Sequence, residues 1–196
     1  SGPDLNSEQA NPVNTIINEK KFKTFLIDGV TGSGKTEVYL HLIKNTLKND
    51  KQCLILVPEI GLTSQFINRI IKRIGLIPHQ FHSSCTENEK FITWKAIRDS
   101  KAEIVLGTRS AIFSPFKNLG IIIVDEENDV SYKQQEGFRY SARDLAIIKA
   151  KHCNIPVILG SATPSIESIN QCKKNIYTKL KLKERAGEAK LPSMHL

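Results

Sequence analysis

The residues with the clearest chemical meaning form a glycine-rich segment that follows an apolar run at positions 25 to 27. Gly29 is followed, after four residues, by Gly-Lys-Thr at positions 34 to 36, which is the phosphate-loop pattern. Glycines let backbone N–H groups turn toward phosphate oxygens, the lysine adds positive charge for the outer phosphates, and the threonine hydroxyl can bind Mg²⁺. The spacing therefore predicts a nucleotide-phosphate site. Its predicted residues are Gly29, Thr31, Gly32, Ser33, Gly34, Lys35 and Thr36.

Two carboxylates follow a second apolar run, at positions 121 to 124. Asp125 and Glu126 stand at its carboxyl end, which is where ligands bind in open parallel sheets. Asp125 could hold Mg²⁺, usually through water, and Glu126 could polarise the water that attacks a γ-phosphate. The alternative is an acidic turn at a strand end, because Glu127 and Asp129 extend the negative charge. The predicted catalytic residues are Lys35, Asp125 and Glu126, and the predicted Mg²⁺ ligands are Thr36 and Asp125.

Apolar runs and helix signals alternate along the chain around these two sites. Buried strands are predicted at 25–28, 52–57, 104–107, 121–124 and 157–160, with a short strand at 79–81. Helices are predicted at 7–17, 38–47, 66–74, 86–97 and 143–152, from apolar periodicity and capping residues. This alternation predicts an α/β fold with a mostly parallel sheet and helices on both faces.

Length and composition limit the possible classes of protein. The 196 residues are enough for one domain, predicted to span 4–178, and the Lys-, Glu- and Ala-rich residues 179–196 are predicted to be a linker or truncated end. No apolar stretch approaches the ~18 residues of a membrane span and no signal peptide is recognisable, so we expect a cytoplasmic protein. The four cysteines lack a CxxC pair, which argues against zinc. The net charge of +8 favours a polyanionic partner.

Five segments occur in the order of the superfamily 2 helicase motifs I, Ia, Ib, II and III. They are residues 29–36, 57–63, 107–111, 125–127 and 160–164. The longer segments 28–39, 58–62 and 131–140 resemble the primosomal replication-restart helicases, and this resemblance runs from about residue 5 to residue 192. It covers only the first motor lobe of that family.

The resemblance implies a RecA-like P-loop NTPase fold with ATP and Mg²⁺ as cofactors. It also implies a 3′-to-5′ DNA helicase that acts in primosome assembly at stalled forks. The implied partners are single-stranded and forked DNA, the second RecA-like lobe of the parent chain, single-strand-binding protein and other primosomal proteins. A nucleotide-dependent DNA-binding switch module without unwinding activity is the alternative.

Individual positions can be matched to the motifs of these helicases. The match implies that Gln9 lies near the adenine, although Gln9 would equally serve as the third residue of a capping box that begins at Asn6. Thr63, Thr108 and Arg109 match positions that line a single-stranded DNA track, where hydroxyls and cations hold phosphates without reading bases. For Arg109 the alternative is an ion pair within the chain.

Residues 131 to 140 place aromatic side chains among cations, a combination that suits base stacking and phosphate attraction. In the resembling helicases an aromatic-rich loop at this point couples DNA binding to hydrolysis. Any single ring could instead belong to the core under a long loop. The predicted DNA-binding residues of this segment are Tyr132, Lys133, Phe138, Arg139 and Tyr140.

The chain departs from the motif pattern at Asn128, where the resembling helicases usually have His. Asn can form hydrogen bonds but cannot be protonated near neutral pH. Asn128, Ser161 and Thr163 are the predicted coupling residues between motifs II and III. Whether their polar link is kept with Asn in this position is left open by the sequence.

Overall fold

The structure, a computed structural model, describes residues 7–29, 34–134 and 140–182. Most of its strands are parallel and are joined by helices. The strands are β1 (Lys23–Asp28), β2 (Gln52–Leu56), β3 (His79–Phe81), β4 (Ile104–Gly107), β5 (Leu119–Val124), β6 (Lys133–Gln134), β7 (Tyr140–Ser141), β8 (Pro156–Ser161) and β9 (Tyr177–Lys181). The helices are α1 (Ser7–Ile17), α2 (Lys35–Leu47), α3 (Ser64–Ile74), α4 (Glu87–Arg98), α5 (Ala142–Cys153) and α6 (Ile166–Lys173).

Seven of these strands form one parallel sheet in the order β3-β4-β2-β5-β8-β1-β9. Strand β8 lies between β1 and β5, and its register pairs Ser161 with Asp28 and Leu159 with Val124. Because the three strands are parallel, their carboxyl ends meet at one edge of the sheet. The segments that follow β1 and β5 therefore start from neighbouring points on this edge.

Both faces of the sheet are covered by helices. On one face, strand residues such as Phe25 and Ile27 belong to an apolar cluster with side chains of α1, α2 and α3. On the other face, Leu26 and Leu54 belong to a second cluster that includes three alanines of α5 and Ile97 of α4. The inner strands β2 and β4 are buried on both faces, as expected of a parallel sheet that reads as continuous apolar runs. The predicted fold class is confirmed.

The helix signals of the sequence agree with the helix ends of the structure. Thr86 and Glu89 form the predicted capping box of α4, and Gly75, with φ of 84°, ends α3. The apolar side chains of α4 face different environments, however: Ile97 is buried, whereas Phe91 is 64% exposed. Within the described residues, every helix is too short or too polar to cross a membrane.

The predicted start of the terminal linker needs correction. Residues 179 to 181 belong to β9, which pairs in parallel with β1, and the side chain of Leu182 is buried. Lys179 forms an ion pair of 2.8 Å with Asp28 at the end of β1. The sequence favoured a linker because this segment is rich in charged residues, but an edge strand can place alternate lysines in solvent. The rest of the predicted linker, 183–196, lies outside the described residues.

A buried carboxylate on α2 attaches α3 to the rest of the domain. Glu37 accepts hydrogen bonds from Arg69 at 2.6 Å and from Arg73 at 2.9 Å, both on α3. Thr63 caps the start of α3, since its hydroxyl accepts a hydrogen bond from the Phe66 N–H. Through these contacts α2, which begins at Lys35, fixes the position of Thr63.

A second buried carboxylate, that of Glu127, fixes α5 and α6 beside the end of β5. The carboxylate accepts hydrogen bonds from the backbone N–H of Ser165 at 2.7 Å and from the hydroxyls of Ser165 and Ser168, each at 3.1 Å. Arg143 of α5 forms an ion pair with it at 3.1 Å. Because Ser165 also caps α6, one carboxylate positions two helices next to Asp125.

We predict that Glu127→Ala destabilises the chain by about 3 to 5 kcal/mol, because it removes the buried partner of the Arg143 guanidinium, whose remaining ion pair is with the exposed Asp144. The measurement is the free energy of unfolding from denaturant titration. Glu103→Ala is the matched control, since this carboxylate is exposed, and it should change stability by less than about 0.5 kcal/mol. Equal stability of the two variants would contradict the anchoring role of Glu127.

Candidate functional site

The start of α2 is packed against Gln9 of α1. Gly34 has φ of 92°, and a Cβ at this position would lie 2.0 Å from the side-chain nitrogen of Gln9. The Gln9 amide is 2% exposed and donates a hydrogen bond of 3.4 Å to the Gly34 carbonyl. Gln9 therefore lies against Gly34 of the phosphate loop, while its position near the adenine stays a prediction. Asn6 and the phosphate-loop residues Thr31, Gly32 and Ser33 lie outside the described residues.

Lys35 connects the two ends of the phosphate loop. Its side chain is buried and its Nζ donates a hydrogen bond to the carbonyl of Gly29, at the end of β1. Burial raises the pKa of the Asp125 carboxyl, and the positive charge of Lys35 opposes this shift. Thr36, partly exposed, follows on the first turn of α2. A buried ammonium beside a carboxylate and a helix start forms a charge pattern that suits phosphates with a divalent cation.

Asp125 is held by two buried tyrosines. The Tyr39 hydroxyl donates to Asp125 Oδ1 at 2.9 Å, and the Tyr132 hydroxyl donates to the backbone carbonyl of Asp125. Burial raises the pKa of the Asp125 carboxyl above its ordinary value, against the opposing effects of the Tyr39 hydrogen bond and the Lys35 charge. Burial also raises the pKa of both phenols well above 10, so they stay protonated donors.

Glu126 has an unusual backbone conformation, with φ of 47°. A non-glycine residue in the left-handed region costs on the order of 1 kcal/mol or more and is found disproportionately at functional sites. Burial and the neighbouring Asp125 raise the pKa of the Glu126 carboxyl, while Lys35 lowers it. A carboxylate with a raised pKa is a better proton acceptor near neutral pH, which suits the predicted role of polarising water.

Asn128 keeps the polar link that the sequence left open. Its amide Nδ2 donates to the Thr163 hydroxyl at 3.1 Å, and its Oδ1 accepts from the Ser161 hydroxyl at 3.1 Å. The Ser161 oxygen in turn accepts from the Thr163 N–H at 3.0 Å. An amide can serve both hydroxyls because it carries a donor and an acceptor without protonation. The segments after β5 and β8 are therefore joined with Asn in this position.

The predicted DNA-binding residues differ in their exposure and contacts. Thr63 and Lys133 are exposed and Tyr140 is half-buried, with its ring packed edge-on against Phe113 at 5.1 Å. Arg109 is half-buried, and its Nη1 donates to the carbonyls of Ser131 and Lys133 at 3.3 and 3.2 Å. Its guanidinium is therefore neither free nor in the ion pair considered as the alternative. Phe138 and Arg139 lie outside the described residues.

Burial contradicts one of the predicted DNA contacts, that of Tyr132, while the contact of the buried Thr108 stays a prediction. Tyr132 is 1% exposed and its hydroxyl is used on Asp125, so its ring cannot stack on a base. Thr108 is 6% exposed and lies between β4 and the 3-10 helix Arg109–Phe113. Tyr132 instead belongs to the core under the loop, the alternative considered for any single ring. Its large apolar area favours burial wherever the chain permits it.

Comparison with known proteins identifies the family. The DEAD/DEAH box helicase family matches residues 6 to 172. The chain belongs to this family. Membership implies nucleotide binding, in agreement with the arrangement of Lys35, Asp125 and Glu126. In fold, the chain is similar to the structure of RecG bound to a three-way DNA junction, with a TM-score of 0.70 and 22% identity over 95% of this chain and 25% of that chain.

Two of the sequence relatives are both named replication restart protein PriA. The chain is 49% identical over 185 residues to replication restart protein PriA of Haemophilus influenzae, and 45% identical over 185 residues to that of Bacillus subtilis. The alignments cover 94% of this chain but 25% and 23% of the two relatives. The chain therefore spans about a quarter of the length of these relatives.

Sequence reasoning missed two residues that shape the site of this DEAD/DEAH box chain. Tyr39 lies one turn beyond Lys35 on α2, and a buried phenol requires a hydrogen-bond partner, so its spacing from the phosphate loop could have suggested a contact with Asp125. Gly160 lies where a Cβ would come 1.7 Å from the Tyr39 hydroxyl. Its role could not be inferred, because it depends on the distance between two segments far apart in sequence.

The raised pKa of Asp125 predicts a pH-dependent change in stability. The folded chain binds the carboxyl proton more tightly than the unfolded chain, so ionised Asp125 destabilises the fold above its folded pKa. This cost declines as the pH falls toward the ordinary pKa of Asp, about 4, and is absent below it. Asp125→Asn should therefore raise the melting temperature at pH 7.5, measured without nucleotide or Mg²⁺, by an amount that shrinks toward ~pH 4.

Glu103→Gln is the control for this measurement, because it neutralises an exposed carboxylate on the same chain. It should leave the melting temperature nearly unchanged across the pH range. A lower melting temperature of Asp125→Asn at pH 7.5 would show that attraction to Lys35 outweighs the cost of burial.

Proposed function

We propose that this chain is the ATP-binding motor lobe of an ATP-dependent 3′-to-5′ DNA helicase that acts in replication restart. The observation that carries the proposal is the position of Lys35, Asp125 and Glu126 at one edge of a parallel sheet, where the charge of Lys35 acts on both carboxylates. The 49% identity to a replication restart protein supports the pathway. We propose that the parent protein works in the cytoplasm, where it acts in primosome assembly at stalled forks.

The residues at this edge have separable roles in the proposed hydrolysis of ATP. Lys35 and the loop that precedes it hold the phosphates, and Thr36 and Asp125 would hold Mg²⁺. Bound Mg²⁺ would neutralise charge on the phosphates. Glu126, whose pKa is raised by burial and by Asp125, orients water and accepts its proton. The Asn128 link carries the state of this site to Ser161, the last residue of β8, and to Thr163.

Nucleic acid is proposed to bind over the loops beyond the same edge. The candidates for this contact within the described residues are Thr63, Thr108, Arg109, Lys133 and Tyr140. Phe138 and Arg139 extend the list by their sequence alone. β6 and β7 pair antiparallel and place Gln134 opposite Tyr140, so these two residues of the aromatic segment are adjacent. Single-stranded and forked DNA are the proposed substrates. A second RecA-like lobe, single-strand-binding protein and other primosomal proteins are the proposed partners.

The first test of this proposal separates binding from hydrolysis in the full-length parent protein. Lys35→Ala should weaken ATP binding, because it removes the positive charge that attracts the phosphates. Glu126→Gln should leave ATP affinity nearly unchanged and reduce turnover by about 100-fold or more, because it acts only on the water. Fluorescent-nucleotide titration and steady-state ATPase rates give the two quantities. Equal loss of ATP affinity in both variants would contradict the assigned roles.

Unwinding distinguishes the helicase from the alternative, a nucleotide-dependent DNA-binding switch. The parent protein should separate a forked duplex with ATP and should not do so in the Glu126→Gln variant. ATP-dependent DNA binding without any strand separation would favour the switch.

The second test concerns Arg109 and uses single-stranded DNA. Arg109→Ala in the parent protein should weaken binding and reduce the slope of log affinity against log salt by about 0.7, the value for one lost phosphate contact on a single strand. The control is Arg98→Ala, because Arg98 lies on α4 and pairs with Asp99. Unchanged salt dependence in Arg109→Ala would remove this residue from the proposed DNA surface.

A further inference from the structure

Tyr39 makes a contact at the proposed metal site for which no motif accounts. Its side chain is 1% exposed, and its hydroxyl donates a hydrogen bond of 2.9 Å to Oδ1 of Asp125. Tyr39 lies on α2, one turn after Lys35, so the helix that carries the phosphate-binding lysine also contacts the carboxylate. A hydrogen bond to one carboxylate oxygen restricts rotation of the whole group.

Space for this contact depends on Gly160 in β8. A Cβ at position 160 would lie 1.7 Å from the Tyr39 hydroxyl oxygen, 3.0 Å from the ring carbon that bears it and 3.4 Å from Asp125 Oδ1. Any side chain at position 160 would therefore push the hydroxyl away from the carboxylate. The contact is built by three elements, since α2 provides the donor, the end of β5 provides the acceptor, and β8 provides the space between them.

We infer that Tyr39 is a positioning residue that orients the Asp125 carboxylate for a divalent cation bound with nucleotide, through space that Gly160 leaves open. The inference rests on the proposed function, in which Asp125 would hold Mg²⁺. Groups that hydrogen-bond to a metal ligand fix its orientation, and their loss typically costs about 10- to 100-fold in metal affinity. Without the Tyr39 donor, the carboxylate of Asp125 can rotate away from the orientation that the cation requires.

The experiment uses Tyr39→Phe in the full-length parent protein, because this change removes one oxygen and keeps the buried ring. Mn²⁺ binding in the presence of saturating ADP is measured by electron paramagnetic resonance. We expect the variant to bind Mn²⁺ about tenfold more weakly. Affinity for a fluorescent ADP analogue in EDTA should stay within about twofold of the unsubstituted protein, because Tyr39 is 1% exposed and its hydroxyl donates to Asp125. Tyr177→Phe is the matched control, since it makes the same change on the edge strand β9.

Gly160→Ala tests the same contact without changing Tyr39. The added methyl group should displace the hydroxyl and weaken Mn²⁺ binding to a similar extent. If both changes act through one hydrogen bond, the double variant Tyr39→Phe, Gly160→Ala should be no worse than the more impaired single variant. Losses that multiply in the double variant would overturn the inference.

Two other results would also overturn it. One is unchanged Mn²⁺ affinity in a folded Tyr39→Phe protein. The other is an equal loss of ADP affinity in EDTA, which would indicate general damage to the site. Failure of the proposed function looks different, because the unsubstituted protein would then bind no Mn²⁺ in an ADP-dependent manner.

Discussion

The site depends on the parallel pairing of β8 with both β1 and β5. This pairing brings the carboxyl ends of three strands to one edge, and each end delivers a different chemical group. β1 leads to the lysine of the phosphate loop, β5 to the two carboxylates, and β8 to the hydroxyls of Ser161 and Thr163. A shift of one residue in either pairing would turn every side chain of the shifted strand to the opposite face of the sheet. The apolar packing on both faces therefore also determines the geometry of the polar edge.

At this edge of the sheet, hydrogen bonds and an ion pair within the protein stabilise the buried negative charge of Glu127. Glu127 is buried, but the hydroxyls of Ser165 and Ser168 and the guanidinium of Arg143 surround its carboxylate. Asp125 and Glu126, two residues and one residue earlier in the chain, have fewer partners, and burial raises the pKa of both. Carboxylates that are incompletely compensated within the protein are suited to bind a cation or to accept a proton. Three consecutive acidic residues thus divide into one structural anchor and two groups available for chemistry.

Sequence reasoning succeeded where the signal was local. The apolar runs of the strands, the capping box at Thr86 and the glycine after α3 each reflect the preference of a short segment, and each agrees with the structure. It failed where burial depends on the tertiary structure. Tyr132 and Tyr140 belong to the same aromatic segment, yet one is buried under the loop and the other is half-exposed. Strand β9 has the charged composition of a linker, and it forms a strand because it pairs with β1 at the edge of the sheet.

The burial of Tyr132 changes how DNA binding could reach the ATP site. Arg109 donates to the carbonyls of Ser131 and Lys133, the two residues that flank Tyr132, and the Tyr132 hydroxyl donates to the carbonyl of Asp125. A phosphate oxygen carries a negative charge and is a stronger acceptor for a guanidinium than a neutral carbonyl. Within the proposed function, DNA that engages Arg109 therefore competes with the contacts that hold residues 131 to 133. Under this proposal, the segment that DNA would release is the one whose Tyr132 hydroxyl donates to the backbone of Asp125, the proposed metal ligand. A buried ring, and not a base-stacking one, would then connect the two sites.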